Sequence, residues 1–100
     1  MKMIYIAGPY TTGDTKANIE HAKRATMEFL ESGYAVFCPH TCYAGMEENE
    51  DLEYSDFLAA DFEILSRCDV IFMLEGWNQS PGACAELVFA ERNGIEVLYE

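Results

Sequence analysis

Four short apolar runs alternate with three longer segments of helical periodicity, and this alternation constrains the possible folds most strongly. The apolar runs cover residues 3–7, 34–38, 69–74 and 95–99. Their length and their content of Ile, Val, Phe and Tyr predict buried β-strands. The segments between them repeat apolar residues at helical spacing, and a glycine follows two of them, as is usual at helix ends. The predicted helices cover residues 16–32, 54–67 and 81–93.

Strands that alternate with helices favour a parallel sheet covered by helices on both faces, with right-handed crossovers. We therefore predict one α/β domain over residues 1–100, Rossmann-like or flavodoxin-like, with a four-stranded parallel sheet. Such sheets bind ligands at the carboxyl ends of their strands. The segments that this rule singles out are Gly8 to Thr12, Pro39 to Cys42 and Glu75 to Ser80.

The charge balance of the chain excludes several classes of partner. Its 18 acidic and 6 basic residues give a net charge of −12, and this field repels nucleic-acid backbones and anionic membranes. No apolar run approaches the ~20 residues of a membrane helix. A nucleobase or nucleotide is still an acceptable small-molecule partner, since one site can be locally neutral. Because 100 residues bury only a thin core, we expect a homo-oligomer.

The cysteines and the glycines give no sign of a metal or an organic cofactor. None of the four cysteines forms a C-x-x-C pair, and with no signal peptide we expect reduced thiols in the cytoplasm. Cys38, His40 and Cys42 form a cluster, but a zinc site usually needs a fourth ligand. The chain has no G-x-G-x-x-G or G-x-x-x-x-G-K-[ST] motif, so nicotinamide cofactors and ATP are poorly supported.

Glu86 is the most informative residue, because it is the only charged one in the run from Pro81 to Ala90. The helix is otherwise apolar nearly all round, which indicates burial. The carboxylate either faces a narrow strip of solvent or has a purpose inside the protein. In the second case it lies near a helix N-terminus and the strand ends, where a carboxylate can attack an anomeric carbon.

Asp61 also interrupts an apolar pattern, since it shares a helical face with Leu58, Phe62 and Leu65. A carboxyl on that face is costly unless it is hydrogen-bonded. Either it pairs with a backbone group at the edge of the helix, or it exchanges a proton with a leaving base.

Three further residues allow both a structural and a functional interpretation. Tyr5 lies in a buried strand, where tyrosines mostly pack, although its hydroxyl needs a partner. His40 follows the second strand, and a lone histidine is either structural or catalytic. Ser80 before Pro81 predicts a helix N-cap, and the same helix end offers free N–H groups to an anion.

The segment from His40 to Glu53 is acidic and is predicted to be irregular. Its carboxylates are Glu47, Glu48, Glu50, Asp51 and Glu53. Such a run is either a solvated loop or a mobile flap over a site, as long loops in compact domains often are.

Several of these motifs together resemble the nucleoside 2-deoxyribosyltransferase superfamily. The opening IYIAGP, the acidic Asp61, the strand CDVIF and the helix that carries Glu86 stand in the family's order. The segments IYIAGPYT, FCPHT, FMLEGW and SPGACAE are most similar to those of a small branch of this superfamily, which is found in phage and bacterial genomes. The superfamily includes deoxynucleoside 5′-monophosphate N-glycosidases, and the resemblance covers nearly the whole chain.

The resemblance implies a role for each of the residues named so far. Glu86 matches the glutamate that attacks C1′ and forms a covalent deoxyribosyl-enzyme, and Tyr5 matches the tyrosine that holds it. Asp61 matches the aspartate that protonates or binds the base. Ser80 stands where the monophosphate hydrolases bind phosphate, and His40 stands where they can carry a histidine. The predicted substrate-binding residues are Gly8, Pro9, His40, Trp77, Asn78, Ser80 and Gly82, with Trp77 as a wall for the base.

Two positions depart from the hydrolase pattern, and they leave the substrate open. This chain has Thr11 where the hydrolases have an arginine, and Pro9 where they have a serine. The predicted function is cleavage or transfer at the N-glycosidic bond of a 2′-deoxynucleoside or its 5′-monophosphate, with no cofactor. The alternatives are a nucleotide-binding module without turnover and a structural or interaction protein.

The proposed chemistry predicts a specific geometry. The hydroxyl of Tyr5 should lie within hydrogen-bond reach of Glu86, and Asp61 should face the same cleft. Two carboxyls in one cleft should raise the pKa of at least one of them. We expect the raised pKa at Asp61, with Glu86 kept ionised by Tyr5 and the helix N-terminus.

Overall fold

The computed structural model describes residues 1–43 and 45–100, except for the side chain of Glu47. The strands are β1 (Met3–Ala7), β2 (Ala35–Phe37), β3 (Val70–Met73) and β4 (Glu96–Tyr99). The α-helices are α1 (Thr15–Glu31), α2 (Pro39–Cys42), α3 (Tyr54–Leu65) and α4 (Pro81–Arg92). Single turns of 3-10 helix cover Met46–Glu48 and Trp77–Gln79. Among the residues described, no helix is both long and apolar enough to cross a membrane.

The four strands form one parallel sheet in the order β2-β1-β3-β4. In the centre of the sheet, Ile4 pairs in register with Val36 on β2 and with Val70 on β3. From β1 the chain crosses to β2 on one side of the sheet, and from β3 it crosses to β4 on the opposite side. The two central strands therefore flank the point at which the strand order reverses, and a crevice opens there at the carboxyl ends.

Helices cover both faces of the sheet, as the sequence predicts. On one face, α1 packs through Ala22 and Ala25 against Ile6 and Leu74. On the other face, residues of α3 and α4 pack against alternate residues of β1 and β3. The core of that second face contains Tyr5, Ala7, Leu65, Ile71, Met73, Ala83, Leu87 and Ala90.

Capping side chains fix the starts of two helices. The carboxylate of Asp14 accepts a hydrogen bond from the N–H of Ala17 at the start of α1 (3.1 Å). The hydroxyl of Ser80 accepts one from the N–H of Ala83 at the start of α4 (3.2 Å), which confirms the predicted N-cap.

The segment from residue 40 to residue 53 is more ordered than the sequence predicts. Pro39 begins the short helix α2, because proline supplies the backbone angle of a first helical position. The carbonyl of Cys38 then accepts hydrogen bonds from the N–H groups of Thr41 and Cys42. The prediction of an irregular acidic loop is therefore wrong at α2 and at the 3-10 turn Met46–Glu48, and the part of it that concerns the side chain of Glu47 lies outside the described residues.

Candidate active site

A cleft of about 530 Å³ opens at the carboxyl end of β1, between the loop that follows this strand, α2, α3 and the start of α4. This volume lies in the range of small-molecule sites. Six residues that the sequence predicts for the site line the cleft: Gly8, His40, Asp61, Ser80, Gly82 and Glu86. The cleft is therefore at the place that the strand-end rule indicates.

Glu86 is buried in α4, with 7% of its surface exposed, and its carboxylate accepts a hydrogen bond from the hydroxyl of Tyr5. The two residues are 81 positions apart in the sequence, so the predicted contact is confirmed. Burial raises the pKa of Glu86 to about 7, and the hydrogen bond from Tyr5 opposes this rise. Burial and the charge of Glu86 raise the pKa of Tyr5, which keeps the phenol protonated as a donor.

Asp61 lies on α3 and lines the same cleft, partly buried. Burial raises the pKa of Asp61 to about 6, and the neighbouring His40 opposes the rise. Both carboxyls thus have a raised pKa, as carboxyls that share a site usually do. The expected rise at Asp61 is confirmed in direction, and the pKa of Glu86 is raised as well, because burial outweighs the hydrogen bond from Tyr5.

His40 on α2 is only 4% exposed, and its ring is held at one edge by the backbone of the loop after β1. Its Nε2 lies 2.8 Å from the carbonyl oxygen of Pro9, and its ring packs edge-on against Tyr10 at 5.7 Å between centroids. Burial lowers the pKa of His40, which favours the neutral ring.

Glycines allow close approach at two points of the cleft. A Cβ on Gly8 would lie 2.8 Å from the Cβ of Leu74, so a side chain there would force β1 and β3 apart. A Cβ on Gly82 would lie 3.1 Å from the hydroxyl of Tyr54, which reaches over the first turn of α4. Both positions are tight because neighbouring side chains occupy the space that a larger residue would need.

Three predicted substrate-binding residues are not among those that line the cleft. Trp77 packs against Tyr99 at 5.9 Å between ring centroids and against the core beneath α4. Asn78 is exposed in the same 3-10 turn. Gly76 precedes this turn with a left-handed backbone (φ +92°), which glycine adopts without strain. Pro9 contributes its carbonyl to His40, but its ring lies beside Gly76.

Much of the wall of the cleft consists of aromatic and apolar residues that are not among the predicted site residues. They are Tyr43, Tyr54, Phe57 and Leu58, together with Tyr10 from the segment that the strand-end rule indicates. Phe57 lies one turn before Asp61 on α3, so the helical spacing carried a signal for it. Tyr43 packs on Phe57 at 5.4 Å between ring centroids, a contact between two elements that spacing along the chain does not predict.

The fold that results is the fold of the 2-deoxyribosyltransferases. A 2-deoxyribosyltransferase from Bacillus psychrosaccharolyticus superposes with a TM-score of 0.73 at 20% identity, over 97% of this chain and 70% of its own. A 2-deoxyribosyltransferase from Leishmania mexicana superposes with a TM-score of 0.67 at 21% identity, over 99% of this chain and 63% of its own. A conserved protein from Enterococcus faecalis V583 superposes with a TM-score of 0.74 at 23% identity, over 99% of this chain and 62% of its own. This chain thus spans under two-thirds of the last two.

Residues 2–99 match the model of the family described as DUF4406, a domain of unknown function, and the chain belongs to this family. No curated protein matches the sequence. The predicted resemblance to nucleoside 2-deoxyribosyltransferases is confirmed at the level of the fold.

Proposed function

We propose that this protein cleaves or transfers at the N-glycosidic bond of a 2′-deoxynucleoside or its 5′-monophosphate. The observation that carries the proposal is the buried Glu86 carboxylate, which the hydroxyl of Tyr5 holds beside the cleft that Asp61 also lines. A buried carboxylate with a dedicated donor is costly for the fold, and such groups cluster at functional sites.

In the first half of the reaction, an oxygen of Glu86 attacks C1′ of the sugar. The bond from C1′ to the base nitrogen breaks, its electron pair stays on the base, and Asp61 gives the base a proton. The sugar passes through an oxocarbenium-like state, which the adjacent negative charge of Glu86 stabilises.

In the second half, a water molecule or another base attacks C1′ of the deoxyribosyl ester. The ester bond from C1′ to the Glu86 oxygen breaks and the carboxylate is released, while the attacking group gives its proton to Asp61. Water as acceptor gives hydrolysis, and a base gives transfer. Because burial raises the pKa of both carboxyls, the pair keeps a proton closer to neutral pH than free carboxyls do, and the reactive form has that proton on Asp61 and the negative charge on Glu86.

The lining of the cleft favours a nucleoside over its phosphate. Tyr10, Tyr43, Tyr54 and Phe57 offer rings against which a base can pack. Among the described residues that line the cleft, two carry carboxyls and none is a lysine or arginine. A 5′-phosphate would therefore bring two negative charges towards two carboxyls without a cation, a cost that an uncharged 5′-hydroxyl avoids.

Release of free base is the direct test of the proposal. We expect chromatography to show free base when the protein is incubated with 2′-deoxynucleosides, and less when it is incubated with the matching 5′-monophosphates. A second base added to the mixture should appear as a new deoxynucleoside if the protein is a transferase. Binding of deoxynucleosides with no base released would instead support a binding module without turnover, and no binding at all would contradict both functions.

A further inference from the structure

His40 has one nitrogen with a partner and one without. Its Nε2 is 2.8 Å from the carbonyl oxygen of Pro9, while its Nδ1 is buried and has no hydrogen-bond partner among the described residues. Only 4% of the surface of His40 is exposed, and the residue lines the cleft. An unpaired polar atom in such a position costs free energy, which a bound group recovers by supplying the partner.

The contact with Pro9 fixes what Nδ1 can do. A carbonyl oxygen only accepts hydrogen bonds, so Nε2 must carry the proton, and Nδ1 of the neutral ring is left as an acceptor. The ring cannot easily turn over, because that would break the contact with Pro9 and disturb the packing on Tyr10. His40 therefore presents an acceptor of fixed position.

A second oxygen is unpaired in the same cleft, and it is an acceptor when the proton of Asp61 lies on the other oxygen of that carboxyl. Oδ1 of Asp61 is also buried without a hydrogen-bond partner among the described residues, and it does not bond to His40. These two unpaired atoms of the cleft are therefore satisfied by hydrogen-bond donors on a bound molecule. An exocyclic amino group has two hydrogens to offer, whereas a keto oxygen at the same place would face lone pairs.

We propose that His40 is a specificity-determining residue, whose Nδ1 accepts a hydrogen bond from the exocyclic amino group of the bound base. The cleft would thus select amino-bearing bases, as in deoxyadenosine and deoxycytidine, over bases without this group. This inference rests on the proposed function only in placing the base of a nucleoside in the cleft.

Two pairs of ligands differ at the amino group: 2′-deoxyadenosine with purine 2′-deoxyriboside, in which hydrogen replaces it, and 2′-deoxycytidine with 2′-deoxyuridine, in which a keto oxygen replaces it and N3 gains a proton. Binding is measured by calorimetry with the Glu86→Gln variant, in which differences in leaving-group reactivity play no part. We expect the amino-bearing member of each pair to bind about tenfold more tightly or better, as one hydrogen bond to a buried acceptor gives. Equal binding within both pairs would overturn the inference, as would no binding of any of the four.

The same pairs are compared in the wild-type protein and in His40→Gln, with His21→Gln as the control. Glutamine can still reach the Pro9 carbonyl, but it has no acceptor in the place of Nδ1, and His21 does not line the cleft. We expect His40→Gln to reduce the ratio of kcat/KM, or of affinity, within each pair to near one, while His21→Gln leaves the ratio unchanged. An unchanged ratio in His40→Gln, with an unchanged melting temperature, would contradict the role of His40.

These outcomes separate the inference from the proposed function. Preferential binding of the amino-bearing ligands without release of base would support base selection by His40 and count against glycosidic cleavage. Release of base with no preference within either pair would support cleavage and overturn base selection.

Discussion

Under α1, the sheet packs against an apolar core, whereas under α3 and α4 the core also holds a tyrosine hydroxyl and a buried carboxylate. The first face packs Ala22 and Ala25 of α1 on Ile6 and Leu74. The second packs Leu65 and Leu87 on Ile71 in the same manner, and adds the hydrogen bond between Tyr5 and Glu86. The first face can be explained by stability alone, and the second cannot.

The difference between the faces shows where the sequence departs from the best packing. An apolar residue at position 86 would avoid the cost of burying a carboxyl, which the raised pKa of Glu86 reports. The cost of burying this carboxyl arises in α4, at a position that lines the cleft. Substitutions on the two faces should therefore affect different properties of the protein.

The largest effect is expected from Glu86→Gln, which keeps the shape of the side chain and removes the nucleophile. We expect kcat for base release to fall by about three orders of magnitude or more, with the fold intact by circular dichroism. Glu91→Gln on the exposed side of the same helix is the matched control and should leave kcat unchanged. Activity retained in Glu86→Gln would remove the basis for the covalent mechanism.

Ile4→Ala, on the α1 face, should lower the stability of the protein and leave kcat unchanged. Ile4 is fully buried in β1, and truncation of a buried isoleucine costs about 2–5 kcal/mol of unfolding free energy. Urea denaturation measures this loss, and kcat per folded molecule should stay at the wild-type value. A large loss of kcat in molecules that are still folded would mean that the two faces are not functionally distinct.

The pH dependence of stability should depend on the second face. The pKa of Glu86 rises from 4.5 to about 7 on folding and that of Asp61 from 3.8 to about 6. At pH values between the unfolded and the folded pKa of each group, the folded protein binds more protons than the unfolded chain. The two groups therefore lower the free energy of unfolding as pH rises from about 4 to about 7. Glu86→Gln should therefore gain about 3 kcal/mol relative to wild type between pH 4.5 and pH 8. Parallel stability profiles for the two proteins would contradict the burial of a titrating Glu86.

A smaller effect is expected from Tyr5→Phe, which removes the hydrogen bond and keeps the ring. Since this bond lowers the pKa of Glu86, its loss should raise that pKa further and move the acid limb of the pH–rate profile to higher pH. At neutral pH, kcat should fall roughly tenfold to a hundredfold, the value of a hydrogen bond to a charged group. Tyr34→Phe, in a ring that packs on Phe29, is the control, and equal effects of the two variants would argue against a specific role for Tyr5.

The four strands and the three long helices could be predicted from the sequence because each depends on a local pattern. The run MIYIA predicts β1, and Ser80 with Pro81 predicts the start of α4; both are confirmed. Glu86 could be predicted as a site residue from the same kind of local pattern, because it is the only charged residue in an apolar helical run. Trp77 was assigned wrongly because its direction depends on the left-handed Gly76 and on Tyr99 of another strand. The raised pKa of Glu86 is likewise not predicted from the sequence, since it follows from burial in three dimensions.

The most direct test of the central claim is a search for a sugar on Glu86. The protein is mixed with a 2′-deoxynucleoside, quenched in acid during turnover and analysed by peptide mass spectrometry. The covalent mechanism predicts that the peptide spanning residues 81–92 gains the mass of one deoxyribosyl group, with fragmentation placing it on Glu86, and that Glu86→Gln shows no such gain. Steady release of base from a protein whose Glu86 is never modified, or a sugar found on a different residue, would contradict the account.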